Sequence, residues 1–167
     1  MRAYPRRLTE AELKNPLNLT ETTLEPNGLE IWRPQNADHL SELISELCLK
    51  LKRTGAEYGF SPPELRLRTV LEEAVFNAWL HGNGENPHKA ISVLWVWSGH
   101  LRLEVSDEGS GFDHDRLPDP TTPENITKPS GRGIFIIRYY ADEVYWRDGG
   151  RRIIMILNCP PEAEGCS

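Results

Sequence analysis

The stretch Leu71-Glu-Glu-Ala-Val-Phe-Asn-Ala-Trp-Leu-His-Gly-Asn83 predicts the end of an amphipathic helix with polar side chains beside its apolar arc. At about 100° per residue, Glu73 and Asn77 project from one face, about 40° apart, whereas Glu72 points about 100° away. The predicted core arc consists of Leu67, Val70, Leu71, Ala74 and Ala78. We therefore expect Glu73 and Asn77 to lie at the edge of a core, where they can meet a ligand.

These two side chains have chemistry suited to phosphate transfer. A partly shielded Glu73 carboxylate can accept the proton of an attacking hydroxyl, and the Asn77 amide oxygen is a hard ligand suited to Mg²⁺. An ordinary solvated pair is the alternative, because Glu-x-x-x-Asn is common on helices. For His81, beside Gly82, the sequence favours a structural or capping role over a ligand role.

A second motif, Asp107-Glu-Gly109-Ser-Gly111, follows a predicted strand. An aspartate at a strand end can accept a hydrogen bond from an exocyclic amine, and the glycines permit close backbone approach and positive φ. The alternative is a polar strand end with a flexible turn. A calcium loop is disfavoured, since further acidic residues at alternate positions are missing.

The third motif is Gly131-Arg-Gly133-Ile134, before a short predicted helix. Unpaired amides and the dipole at a helix start favour an anion, so a phosphate suits this position. The motif lacks the Gly-Lys-Ser or Gly-Lys-Thr of a Walker A loop. A simple loop-to-helix joint also explains it.

Composition places the chain among globular proteins and excludes several functions. Its 167 residues, of which 38% are hydrophobic and 26% charged, suffice for one domain with a real core. The net charge of −6 argues against nucleic-acid binding. No apolar run is long enough to span a bilayer and no leader is evident, so we expect a cytoplasmic protein without membrane contact. The Arg151-Arg152 pair is expected to be solvated.

The three cysteines do not form a recognisable metal or disulfide pattern. Cys48, Cys159 and Cys166 are far apart and lack C-x-x-C spacing, so we expect reduced thiols, with Cys48 buried in a helix.

Periodicity and turn residues predict the order of elements. Strands 19–24 and 29–32 flank Pro26-Asn27-Gly28 as a hairpin. A helix from Asp38 to about Thr54 ends at Gly55, and a second helix begins at the N-cap Ser61 and ends near His81, before Gly82. Further predictions are strands 90–97 and 101–106, an irregular loop over 112–130, a helix over 134–140, and a closing hairpin of strands 143–146 and 151–158.

The three motifs together resemble the N, G1 and G2 boxes of the ATPase superfamily shared by gyrase, Hsp90, histidine kinases and MutL. Within it, the chain is most similar to the bacterial anti-sigma-factor serine kinases, over about residues 37–158. The resemblance implies an α+β fold, a two-layer α/β sandwich of the Bergerat ATP-binding type. Its mostly antiparallel mixed sheet would carry helices on one face.

The resemblance also implies roles for individual residues. Glu73 matches the general base and Asn77 the Mg²⁺ ligand. Asp107 matches the aspartate that reads adenine. The implied turn and lid residues are Gly109, Gly111, Gly131 and Gly133, with Lys128 and Arg132 inside the lid. The implied cofactors are ATP and Mg²⁺.

The function expected from this resemblance is ATP- and Mg²⁺-dependent phosphorylation of a serine in an antagonist protein, with binding of a sigma factor. Residues 1–18 would be an irregular extension, 19–160 the ATPase domain and 161–167 a tail. A nucleotide-sensing interaction module that transfers no phosphate is the alternative, and a purely structural domain is a third hypothesis.

Strand 90–97 is apolar on both faces. Ile91, Val93, Trp95 and Trp97 share one face, and Leu94 and Val96 the other. One face should meet the helices. The other is covered by the amino-terminal segment or pairs in a homodimer.

Overall fold

The computed structural model describes residues 26–59, 62–111 and 132–158. These ranges contain five strands and three α-helices. In chain order they are β1 (Gly28–Trp32), α1 (Ala37–Glu57), α2 (Glu64–Asn77), β2 (Ile91–Trp97), β3 (His100–Asp107), α3 (Arg132–Tyr140), β4 (Glu143–Arg147) and β5 (Arg152–Asn158). A π-helical turn, Ala78–Gly82, directly follows α2, and a 3₁₀ turn, Asp148–Gly150, joins β4 to β5.

The strands form one open sheet in the order β1-β2-β3-β5-β4. Every pairing among the described strands is antiparallel. Since the helices pack on one face of this sheet, the predicted α+β two-layer fold is confirmed. The pairing of β2 with β3 ends at Ile91 and Asp107, which places Asp107 at one edge of the layer.

The helix-facing side of the sheet is the core. The predicted face of β2 is confirmed, because its four residues Ile91, Val93, Trp95 and Trp97 are at most 2% exposed. The helices contribute residues at intervals of three and four, as amphipathic helices do. These core residues are Leu40, Ile44, Leu47 and Leu51 from α1 and Leu67, Val70, Leu71 and Ala74 from α2. Cys48 is also buried, and burial raises the pKa of its thiol to about 11.

Helix α1 extends beyond its predicted end. Gly55 lies inside the helix and is buried, and the helix continues to Glu57. Gly59 instead supplies the left-handed conformation after the helix, with φ of +73°, and its N–H donates to Ala56 O at 3.0 Å. The prediction of a stop at Gly55 was wrong because a small residue also fits a packed helix interior.

Helix α2 differs from its prediction at both ends. It begins at Glu64 after Pro63, without a side-chain cap, and the predicted cap Ser61 lies outside the described residues. At the other end the α-helical hydrogen bonds stop at Asn77. The wider π-helical turn then carries the chain to Gly82, with the Asn83 N–H donating to Ala78 O at 2.7 Å.

The remaining strands and α3 agree with their predictions to within one or two residues at each end. The predicted strand 29–32 corresponds to β1, and its described neighbour in the sheet is β2. The predicted strand over 19–24, the loop over 112–130, Cys159 and Cys166 lie outside the described residues.

The outer face of the sheet is mixed in character. Leu29 and Ile31 are more than half exposed on β1, whereas Val96 is buried. Charged residues lie beside them, including Arg102, which pairs with Glu104 at 2.5 Å. Cover by the amino-terminal segment and pairing in a homodimer both stay predictions.

Candidate functional site

A cavity of about 530 Å³ lies between the helices and the end of the sheet. This volume is within the range of pockets that bind small molecules and cofactors. The cavity is lined by Glu73, Ala74, Asn77, Ala78, His81, Gly82, Val105, Asp107, Gly111, Arg132, Gly133, Ile134, Ile136, Trp146, Gly150, Arg151 and Ile153. Mainly apolar walls with a few polar groups are typical of pockets that bind small molecules.

One end of the cavity is formed where α2 meets the start of α3. Glu73 and Asn77, one turn apart on α2, both lie against Gly133. A Cβ atom at Gly133 would fall 2.6 Å from Glu73 Oε2 and 3.1 Å from Asn77 Nδ2. Glycine therefore lets the first turn of α3 come directly onto the two polar side chains, and this end of the cavity combines carboxylate and amide oxygens with helix-terminal N–H groups.

Asp107 forms a second polar part of the cavity, beside Gly82. Its Oδ1 accepts from the Gly109 N–H at 2.8 Å, and its own N–H donates to Arg151 O at 3.0 Å. The carboxylate also lies against Gly82, where a Cβ atom would fall 2.3 Å from Asp107 Cγ. Backbone contacts thus fix the carboxylate while it still lines the cavity.

The glycine turn after β3 packs against the turn between β4 and β5. Gly111 has φ of +80°, and a Cβ atom there would fall 2.1 Å from Gly149 O. Both the conformation and the close approach require glycine at this position. The two turns together form one wall near Asp107.

Burial changes the protonation of both carboxyl groups in the cavity. It raises the pKa of Glu73, and the neighbouring Glu72 charge raises it further. Burial also raises the pKa of Asp107, against the opposing effects of the Gly109 N–H and the Arg151 and Lys89 charges. A carboxylate with a raised pKa is a stronger proton acceptor, which suits Glu73 for general-base chemistry.

The structure brings most of the predicted residues together. The predicted residues that line the cavity are Glu73, Asn77, Asp107, Gly111, Arg132 and Gly133. The Gly109 N–H donates a hydrogen bond to the Asp107 carboxylate. Lys128 and Gly131 lie outside the described residues.

Within the described ranges, no group of three or more His, Cys, Asp or Glu side chains could hold a metal ion. There too, no helix is long and apolar enough to cross a bilayer.

Some cavity residues were not predicted from the sequence. His81, for which a structural or capping role was favoured, is exposed and lines the cavity. Arg151, expected to be solvated, also lines it. Its position beside Asp107 depends on the pairing of β3 with β5, which local sequence does not reveal. The sequence did contain a signal for His81, because on a helix this residue lies near the same face as Glu73.

Comparisons with known proteins agree with this geometry. The family model described as "Histidine kinase-like ATPase domain" matches residues 38–157. The chain is 35% identical over 82 residues to the anti-sigma F factor of Geobacillus stearothermophilus, covering 47% of this chain and 56% of that protein. It is 23% identical over 123 residues to the serine-protein kinase RsbW of Bacillus cereus, covering 69% of this chain and 77% of that protein.

The anti-sigma F factor of Anoxybacillus flavithermus is 32% identical over 83 residues, again with 56% of its length covered. The chain therefore spans little more than half the length of the anti-sigma F factors that it matches. The family model, by contrast, takes in the whole cavity lining and every described helix and strand except β1, apart from Ala37 at the start of α1 and Asn158 at the end of β5. The chain belongs to the family of histidine kinase-like ATPase domains.

Proposed function

We propose that this protein is an ATP- and Mg²⁺-dependent serine-protein kinase that phosphorylates an antagonist protein and binds a sigma factor. The observation that carries the proposal is the placement of Glu73 and Asn77 against Gly133 in a cavity that Asp107 also lines. Relatives named anti-sigma F factor and serine-protein kinase support the choice of reaction and partners.

In this proposal Asp107 reads the adenine ring. Its Oδ1 is occupied by the Gly109 N–H, so Oδ2 is the oxygen that would accept a hydrogen bond from the exocyclic amine. Val105 and Ile153 line the cavity beside it and would contact the faces of the ring. A base without the amine would leave Oδ2 of this half-buried carboxylate without that hydrogen bond, which disfavours the base.

The α2–α3 end has the donor set for a metal-bound triphosphate. The Asn77 amide and the Glu73 carboxylate supply hard oxygens of the kind that Mg²⁺ accepts. The first turn of α3 lies against these side chains at Gly133, so the positive end of its dipole would favour phosphate oxygens there, and Arg132 also lines the cavity. When bound, Mg²⁺ would neutralise phosphate charge during transfer, with Asn77 as its protein ligand.

Glu73 would act as the general base. It accepts the hydroxyl proton of the substrate serine as the serine oxygen forms a bond to the γ-phosphorus. The bond between that phosphorus and the bridging oxygen breaks, and ADP leaves with the electron pair. Both the position of Glu73 beside Asn77 and its raised pKa suit this role.

The experiment measures phosphate transfer from ATP to a candidate antagonist by wild type and Glu73→Gln. We expect the transfer rate of Glu73→Gln to fall on the order of 10²–10⁴-fold while calorimetry still detects Mg²⁺-ATP binding. The control is Glu42→Gln, at an exposed position of α1 that does not line the cavity. Equal transfer rates in wild type and Glu73→Gln would remove Glu73 from the mechanism.

The same experiment tests the alternative of a nucleotide-sensing module. ATP binding without phosphoserine on any antagonist would favour that module over a kinase. We also propose a cytoplasmic location, and that the outer face of the sheet is either covered by the amino-terminal segment or paired in a homodimer. Light scattering that shows only monomer at high concentration would contradict the dimer.

A further inference from the structure

We propose that Asn83 is a positioning residue for base recognition, because it fixes the segment that carries Asp107. The inference rests on the proposed function, in which Asp107 accepts the exocyclic amine of adenine. Asn83 does not line the cavity, and its role would be exerted through Asp107.

Asn83 joins two segments that are distant in sequence. Its side chain is 3% exposed, and both ends of the amide are used. Oδ1 accepts from the Glu108 N–H at 2.9 Å, and Nδ2 donates to Ala90 O at 3.0 Å. One side chain therefore connects the residue after β3 to the residue before β2.

Glu108 closes this arrangement into a ring. Its Oε2 accepts from the Ala90 N–H at 2.6 Å, so both backbone groups of Ala90 are bonded to side chains. The β2–β3 ladder ends at the pair Ile91 and Asp107. The ring thus continues the connection one residue beyond the ladder, at the place where the strands would otherwise separate.

The ring is coupled to the Asp107 carboxylate from two sides. Glu108 is bonded covalently to Asp107, and Asn83 follows Gly82, whose Cα atom packs against the carboxylate. A short side chain with both a donor and an acceptor is needed, since aspartate has no donor and alanine has neither. Removing the amide would leave the Glu108 N–H and Ala90 O without this partner and loosen the turn that aims Asp107.

The test compares ATP with inosine triphosphate, which carries an oxygen in place of the exocyclic amine. Affinities for both, with Mg²⁺, are measured by calorimetry for wild type, Asn83→Ala, Asp107→Asn and the double variant. We expect wild type to prefer ATP on the order of tenfold or more. Asn83→Ala should lose most of this preference through weaker ATP binding, with inosine triphosphate bound as well as before. In the double variant the loss should be smaller than the sum of the single losses.

A merely structural role is separated by a matched control. Asn36 caps α1 by accepting from the His39 N–H at 2.9 Å and lies outside the cavity lining. Asn36→Ala should lower stability yet keep the wild-type preference for ATP. Should Asn83→Ala fail to fold, Glu108→Ala breaks the ring at an exposed residue and should reduce the preference in the same direction.

The two proposals fail differently. Wild type that binds neither nucleotide overturns the proposed function and this inference with it. Wild type that prefers ATP, with the preference intact in Asn83→Ala or in Glu108→Ala, overturns the positioning role alone.

Discussion

At the scale of single residues, glycines set how closely the backbone approaches the polar groups of the site. Gly82 packs against Asp107, and Gly133 packs against Glu73 and Asn77. Neither glycine has a positive φ. Glycine is required at both positions because a Cβ atom would not fit, and not because the backbone conformation is unusual. An added methyl group would therefore act on the neighbouring carboxylates.

We expect Gly82→Ala to weaken ATP binding roughly tenfold or more, because the new Cβ atom would displace the Asp107 carboxylate. The control is Gly84→Ala, two residues further along the chain, where φ is +61° and no atom lies within 4 Å of the Cβ position. Gly84→Ala should cost about 1 kcal/mol of folding stability and keep ATP affinity. Calorimetry and thermal unfolding measure both quantities, and undiminished affinity in Gly82→Ala would contradict the close-contact explanation.

The raised pKa of Glu73 predicts a stability gain in Glu73→Gln. A carboxyl group whose pKa is higher in the folded state than in the unfolded state costs stability at neutral pH, which lies above its unfolded pKa. Glu73→Gln should therefore unfold at higher temperature than wild type at pH 7. The gain should shrink as pH falls through the raised pKa and disappear below the unfolded value of 4.5. A gain that is independent of pH would show that ionisation of Glu73 is not its cause.

At the scale of elements, Arg66 connects α2 to the end of α3 and to β5. Its Nε donates to Tyr140 O at 2.5 Å and its Nη1 to Asn158 O at 3.1 Å, and it pairs with Asp142. The Asp142 carboxylate in turn accepts from the Asn158 N–H at 2.6 Å. A planar guanidinium can make these bonds simultaneously, which lysine cannot.

Arg66→Lys is accordingly expected to lower the free energy of unfolding by about 1–2 kcal/mol. Urea unfolding measures this change. Arg68→Lys is the matched control on the same helix, because its more exposed pair with Glu72 should contribute no more than about 0.5 kcal/mol. Similar losses in the two variants would argue against a connecting role for Arg66.

The types of the elements were predictable from the sequence because the apolar residues that recur at helix or strand spacing are the ones that become buried, as in α1 and β2. The ends of the helices were less predictable than the types of the elements. Gly55 and Gly59 carry the same local signal, and only packing decides that the first stays inside α1. The change to π-helical bonding after Asn77 has no signature in propensity, since it depends on contacts beyond the helix.

The site was predictable where one motif supplies its own geometry, as in the one-turn spacing of Glu73 and Asn77. Residues that long-range strand pairing brings to the cavity were not predictable. Arg151 reaches Asp107 only because β5 pairs with β3, and the bonds of Asn83 to Ala90 and Glu108 likewise require the folded sheet.

At the scale of the whole molecule, a ligand that binds only the folded state must raise its unfolding temperature. At an ATP concentration 100 times its dissociation constant, the stabilisation is about 2.7 kcal/mol, or about 5–10 °C for a chain of this size. Asp107→Asn should lose most of this upshift at the same concentration of Mg²⁺-ATP, since a charged hydrogen bond is worth about 1.5–3 kcal/mol. Thermal scans with Mg²⁺ alone provide the baseline, and an equal upshift in both proteins would remove Asp107 from adenine recognition.

The π-helical turn between Ala78 and Gly82 has a consequence for engineering and for chain-length variation. Such a turn contains one residue more than an α-helix would need, so deleting the exposed Leu80 would let ordinary helical bonding resume. Because the wide turn takes up its extra residue within one turn, the repaired helix would hold Gly82 and Asn83 in nearly their present direction. A chain shorter by one residue would thus gain a more regular helix and keep the cavity lining, so an alignment of sequences across this point should allow a one-residue gap after Asn77.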